Sequence, residues 1–215
     1  MNQLDRDVEG AAAAHQQLLA RVDGFTDDDV RAASLLPGWT VAHVLAHLVG
    51  NGDSFVRIIA AANRGEVTDQ YPGGAPWRAE EIDELSTLPA VALVDRLRRS
   101  IWSLEQAWAT CTAEAWQGSG RGVAGIVPVA DLPFRRRRET LVHHADLGRD
   151  FTWRDWPADY VRRELGILTA LWASRRPMGL TTLPDAALAV PEAHRVAWLL
   201  GRADIDGLDA AGVYA

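Results

Sequence analysis

The chain has no lysine; all 22 of its basic residues are arginine. That removes lysine Schiff-base catalysis and the lysine of a Walker-type phosphate loop. There is one cysteine, Cys111, so neither an internal disulfide nor a cysteine-cluster zinc site can form. A lone thiol fits a reducing cytosol. No apolar run approaches the roughly 20 residues of a membrane span. The first residues, MNQLDRDVEG, lack the basic and apolar regions of a signal peptide. A cytoplasmic protein is therefore expected. Positive charge is also in deficit: 29 acidic residues give a net charge of −7. A nucleic-acid binder carries a basic footprint, and this chain does not.

What remains is ordinary globular composition, 48% hydrophobic and 24% charged over 215 residues. Leu4, Val8, Ala11, His15, Leu18 and Val22 recur at spacings of four and three, the pattern of an amphipathic helix ending near Gly24. His15 lies inside that stripe and reads as a core histidine. Thr26 can cap a short acidic turn. Thr40 is the N-cap of a long helix from Val41 to about Arg64, stopped by Gly65. Residues 71–76, YPGGAP, read as a loop, followed by a short helix through Glu80 to Leu85. Pro89 starts a third long helix, and GSGRGVAGIVPVADLP reads as a crossover loop into a fourth over 132–147.

Four long helices with one crossover predict a four-helix bundle in a mainly α protein. The character changes near residue 150, so residues 1–150 are expected as one domain and 151–215 as a small α/β or helical module. In that module 157–174 looks helical, PMGLTTLP is a breaker, DAALAVP reads as a short strand and EAHRVAWLLGR as a last helix.

The chemistry sits in RRRRETLVHHADLG, residues 135–148. Glu139 and His143 are four apart, one above the other on a helix face. A carboxylate oxygen and an imidazole nitrogen so placed can share one ion. Asp146, three beyond His143, can accept the second imidazole N–H and fix the tautomer. Arg136 lies on the same face. His144 is about a quarter-turn away, and Arg135, Arg137 and Arg138 wind onto other faces as a solvated surface. The second long helix carries its own pair at the same spacing, His43 and His47. Bundle metal sites are built from facing helices in this way.

At these residues a family resemblance emerges. PGWTVAHVLAHLVGNGDSF (37–55) and RRETLVHHADLG (137–148) resemble the paired motifs of DinB-like proteins, and within them the mycothiol-dependent maleylpyruvate isomerase family. RVAWLLGRADIDGL (195–208) resembles a C-terminal signature of that branch. The resemblance implies a metal triad of His47, Glu139 and His143, leaving out His43 and His144. It implies a divalent metal, most simply zinc, and mycothiol as the thiol cofactor. It also implies an active-site arginine, best matched by Arg78 in APWRAEEI. The reaction so implied is thiolate addition to the cis double bond of maleylpyruvate, rotation, and elimination to fumarylpyruvate. Its dicarboxylate substrate needs cationic partners, for which Arg78 and Arg136 are the candidates. A mycothiol S-transferase acting on another electrophile, or a non-catalytic metal-binding module, would carry the same triad. Either state, monomer or homodimer, is compatible with the sequence.

Overall fold

The computed structural model describes residues 2–123, 125–175 and 182–213. The chain forms two compact units, one ending at Gly148 and one starting at Arg149.

The first unit is built on four long helices: α1 (Gln3–Val22), α3 (Val41–Ala62), α5 (Ala90–Ala109) and α7 (Leu132–Asp146). Local sequence sets their ends. Asn2 opens α1 with a capping box, its side chain accepting from the Asp5 N–H at 2.9 Å. Thr26 does the same for the short α2 (Asp27–Arg31). Gly65, just past α3, adopts φ +71, a conformation that glycine reaches without steric cost. The helix α3 is buried along most of its length, which explains why its sequence is apolar on nearly every face.

Two apolar clusters make the core of this unit. One joins Leu18, Val41, Leu45, Leu48, Val94, Leu97 and Ile101 with their neighbours. The other joins Ala11, Phe55, Ile58, Leu104, Trp108 and Leu132 with theirs. Along α1, α3 and α7 polar positions fall between the two clusters. His15 falls between Ala11 and Leu18, Asn51 to Ser54 between Val49 and Phe55, and Arg136 to His143 between Leu132 and Leu147. This polar layer contains the site.

Three expectations are corrected. The helix α4 runs over Gly74–Ser86, well before Glu80. Pro76 falls in its first turn, where a missing N–H breaks no intrahelical bond, so the proline that marks a loop in sequence is tolerated inside the helix. The crossover after α5 holds a one-turn helix, α6 (Ala113–Trp116), and an antiparallel hairpin of β1 (Ser119–Gly122) and β2 (Gly125–Pro128). Strands of four residues rich in glycine carry no readable alternation. In the second unit, α8 (Ala158–Ser174) and α10 (Glu192–Leu199) lie where helices were expected, but DAALAVP forms a helical turn, α9 (Asp185–Leu188), in place of a strand. Alanine-rich sequence after Pro184 favours helix over strand. The breaker at 177–184 lies mostly outside the described residues.

Candidate metal centre

His47 projects from the second turn of α3, and Glu139 and His143 from successive turns of α7. Their side chains meet. His47 Nε2 lies 2.8 Å from Glu139 Oε2, and His143 Nε2 lies 3.6 Å from the same oxygen. The two imidazoles are edge-on with centroids 4.6 Å apart. One ligand atom from each of the three residues falls within 4.8 Å of the others. An ion with bonds of about 2 Å in tetrahedral geometry would set its ligand atoms about 3.3 Å apart, so the cluster can close on one divalent ion with changes in ligand separation of up to about 1.5 Å.

Asp146 accepts from His143 Nδ1 at 2.9 Å and is almost fully buried. This leaves Nε2 of His143 facing Glu139. On the other histidine, Arg78 Nη2 of α4 lies 3.0 Å from His47 Nδ1. Arginine can only donate, so Nδ1 accepts and the ring proton sits on Nε2, donated to Glu139. Arg78 is part-exposed.

Burial is the main influence on His47, reinforced by the neighbouring His143, and its pKa falls to about 4 despite the Glu139 hydrogen bond. Burial works against the charged form of Glu139 as well. The hydrogen bonds from His143 and His47 outweigh it and hold the carboxyl well below the usual range. His143 also loses by burial, but its bonds to Asp146 and Glu139 raise its pKa overall. At neutral pH the cluster thus offers an ionised carboxylate and a neutral imidazole, the forms that a metal takes.

The remaining expected residues are placed as follows. His43 is a helix cap: its Nδ1 accepts the Thr40 N–H at 3.3 Å and lies 2.7 Å from the Thr40 hydroxyl. His144 is buried on another face of α7. Arg136 has no exposed surface. Its Nε donates to His15 Nε2 at 3.0 Å, and its Nη1 donates to the Leu48 carbonyl and to Asn51 Oδ1, both at 2.8 Å. Burial lowers its pKa to about 10, so it remains a cation at neutral pH. Arg137, expected on a solvated face, is 7% exposed. Its guanidinium lies against α1 at Gly10, where a β-carbon would approach within 2.7 Å; the glycine makes the room.

Three residues near the site were not anticipated. Tyr71, 8% exposed, places its hydroxyl beside Arg78 and Ser54, and burial raises its pKa. Trp39 packs its ring 6.0 Å from that of His47. Asn51, one turn beyond His47, receives Arg136. Asn51 had a readable signal in its spacing of four from His47, and Trp39 stands at the start of the 37–55 motif; Tyr71 sits in a loop with no period at all.

The mainly helical bundle is a DinB-like fold, with two histidines and one carboxylate on facing helices as a candidate metal site. The sequence matches the family described as mycothiol maleylpyruvate isomerase N-terminal domain over residues 11–148. The chain belongs to that family. No curated protein matches it. Among solved structures it is similar to a crystal structure of the mycothiol-dependent maleylpyruvate isomerase, with a TM-score of 0.82, 26% identity, and coverage of 94% of this chain and 90% of that one. A histidine-to-alanine mutant of that enzyme matches with the same figures. The likeness extends over both compact units and supports an isomerase-like enzyme.

Proposed function

We propose that the protein is a metal- and mycothiol-dependent cis–trans isomerase of the maleylpyruvate-to-fumarylpyruvate type, with His47, Glu139 and His143 as the metal ligands. The observation that carries this reading is the convergence of those three side chains within 4.8 Å in a chain of this family. Three protein ligands leave a coordination position open, the mark of catalytic rather than structural zinc. A divalent ion there, most simply zinc, supplies Lewis acidity that lowers the pKa of an incoming thiol. Reversible addition of the thiolate would form a C–S bond and move the π pair of the cis double bond onto the adjacent carbonyl, leaving a single bond that rotates before the pair returns and expels the thiolate.

The protein's own residues do the rest. Glu139 stays ionised and contributes charge; Asp146 holds His143 with Nε2 towards the site. Arg78 is the part-exposed cation beside His47 and serves as the partner of a substrate carboxylate. Tyr71 packs beside Arg78, whose guanidinium carbon lies 5.8 Å from the centre of its ring. The only cysteine does not supply the nucleophile. Cys111 follows α5, packs against the Leu104–Trp108 cluster, and burial raises its pKa. The thiol therefore comes from outside. We assign the site to a first domain ending near residue 150 and the second unit to a separate module.

The test is to incubate the protein with zinc, mycothiol and maleylpyruvate and to follow the ultraviolet spectrum. Conversion to the trans isomer that needs both zinc and thiol supports the reading. A stable thiol adduct without isomerisation assigns the protein instead as an S-transferase. No change with any electrophile rejects thiol chemistry altogether.

A further inference from the structure

We propose that Arg136 is a positioning residue of the metal centre: it fixes the helix of Glu139 and His143 in register against the helix of His47, and His15 holds it in place. The inference rests on the metal-centre reading above.

Arg136 stands one turn before Glu139 on α7. Leu48 follows His47 directly on α3, and Asn51 is one turn further on. A single nitrogen, Nη1, donates to both the Leu48 carbonyl and Asn51 Oδ1. The carbonyl is part of the α3 backbone, so this contact cannot be accommodated by a change of rotamer; it sets where α7 lies along α3. The guanidinium is planar, so its two bonded edges also set a direction. On the second edge Nε donates to His15 Nε2, and His15 Nδ1 donates to Glu105 Oε1 at 2.9 Å. Glu105 belongs to α5. The polar path Glu105–His15–Arg136–Asn51 thus touches each of the four long helices once.

Stability does not account for such an arrangement. A fully buried guanidinium whose hydrogen-bond acceptors are a carbonyl, an amide and a neutral imidazole carries a heavy desolvation cost, and apolar replacement of buried charges is often neutral or stabilising. One donor, Nη2, has no hydrogen-bond partner among the described residues. Direct substrate contact does not account for it either, because no atom of Arg136 reaches the surface. Registration does: ligand atoms have to be held to within about 0.5 Å, and they come from two helices joined by one charged bridge next to both ligand sets.

The test uses the full chain as Arg136→Met, Arg136→Lys, Asn51→Leu and the double variant Arg136→Met/Asn51→Leu. Each is loaded with cobalt(II) or zinc alone. Affinity is read by competition with a chelator, ligand geometry from the cobalt d–d spectrum, and stability from the Tm. Arg136→Met is expected to weaken metal binding about 10- to 100-fold and to shift the cobalt spectrum, without a matching fall in Tm. Lysine restores part of the affinity. Asn51→Leu shows a smaller loss, and the double variant loses no more than Arg136→Met alone, because both act through one bridge. Unchanged affinity and spectrum in Arg136→Met, whatever its Tm, overturn the proposal. Should that variant fail to fold, the same null result in Arg136→Lys and Asn51→Leu overturns it equally. Wild-type protein that takes up no cobalt removes the metal-centre reading itself, an outcome distinct from a failure of Arg136 alone.

Discussion

His15 makes the stability of the bundle depend on pH in a defined window. Its ring is fully buried, with Nε2 accepting from Arg136 and Nδ1 donating to Glu105. The bond from Arg136 requires the neutral form, whereas Glu105 accepts from either form. Burial dominates and, with the nearby Arg136 charge, lowers its pKa from 6.5 to about 4 against the pull of Glu105. Over this interval the unfolded chain binds a proton that the folded chain does not. The contribution is therefore complete above about pH 6.5 and is lost as pH falls from there towards 4. The full shift corresponds to about 3 kcal/mol, of which about 2 is lost by pH 5. The assay is urea denaturation of metal-free protein, wild type and His15→Gln, near pH 7.5 and near pH 5, with a chelator present. Glutamine keeps an acceptor for Arg136 and does not titrate. The variant's stability deficit relative to wild type should shrink by about 2 kcal/mol at the lower pH. A deficit of the same size at both pH values would refute a neutral, desolvated His15.

Other perturbations test separate parts of the account. In Gly52→Ala the new β-carbon falls 2.6 Å from Ser100 Oγ, a buried hydroxyl already bonded to the Val49 carbonyl and Asp53. It should cost about 1–3 kcal/mol in urea denaturation, whereas Gly166→Ala on α8, with nothing within 4 Å, should be neutral or slightly stabilising. Arg78→Met should lower kcat/KM for a dicarboxylate about 10- to 100-fold, chiefly through KM, with metal content unchanged. Metal on His47 Nε2 requires the ring proton to move to Nδ1, where it faces the Arg78 N–H, so loading should part Arg78 from His47. A metal-loaded crystal structure that keeps their 3.0 Å contact would contradict this.

The long helices were legible because their period extends over several turns and their ends carry strong signals at Thr40, Gly24 and Gly65. The pairing of Glu139 with His143 was legible for the same reason, since spacing of four on a helix fixes neighbours. What escaped depended on partners distant in sequence. Helix spacing set Arg136 apart from the three arginines around it, on the face of Glu139 and His143, but nothing local showed that it is buried. It is buried because Leu48, Asn51 and His15 from other helices surround it with acceptors. Arg137 is buried because Gly10, far away in sequence, leaves a space for it. His15 read as a core histidine, which its burial bears out, but its role as an acceptor for a buried cation needed the fold. The hairpin and the start of α4 were hidden by glycine and proline, which break sequence periodicity without always breaking structure.

The central claim is that His47, Glu139 and His143 bind one divalent ion. Metal content per chain, measured by mass spectrometry on wild type and on His47→Ala, Glu139→Gln, His143→Ala and His43→Ala after zinc loading and desalting, tests it most directly. The account predicts about one ion in wild type and in His43→Ala, and loss in the other three. Loss of the ion in His43→Ala with retention in His47→Ala, or full occupancy in all four variants, would contradict it.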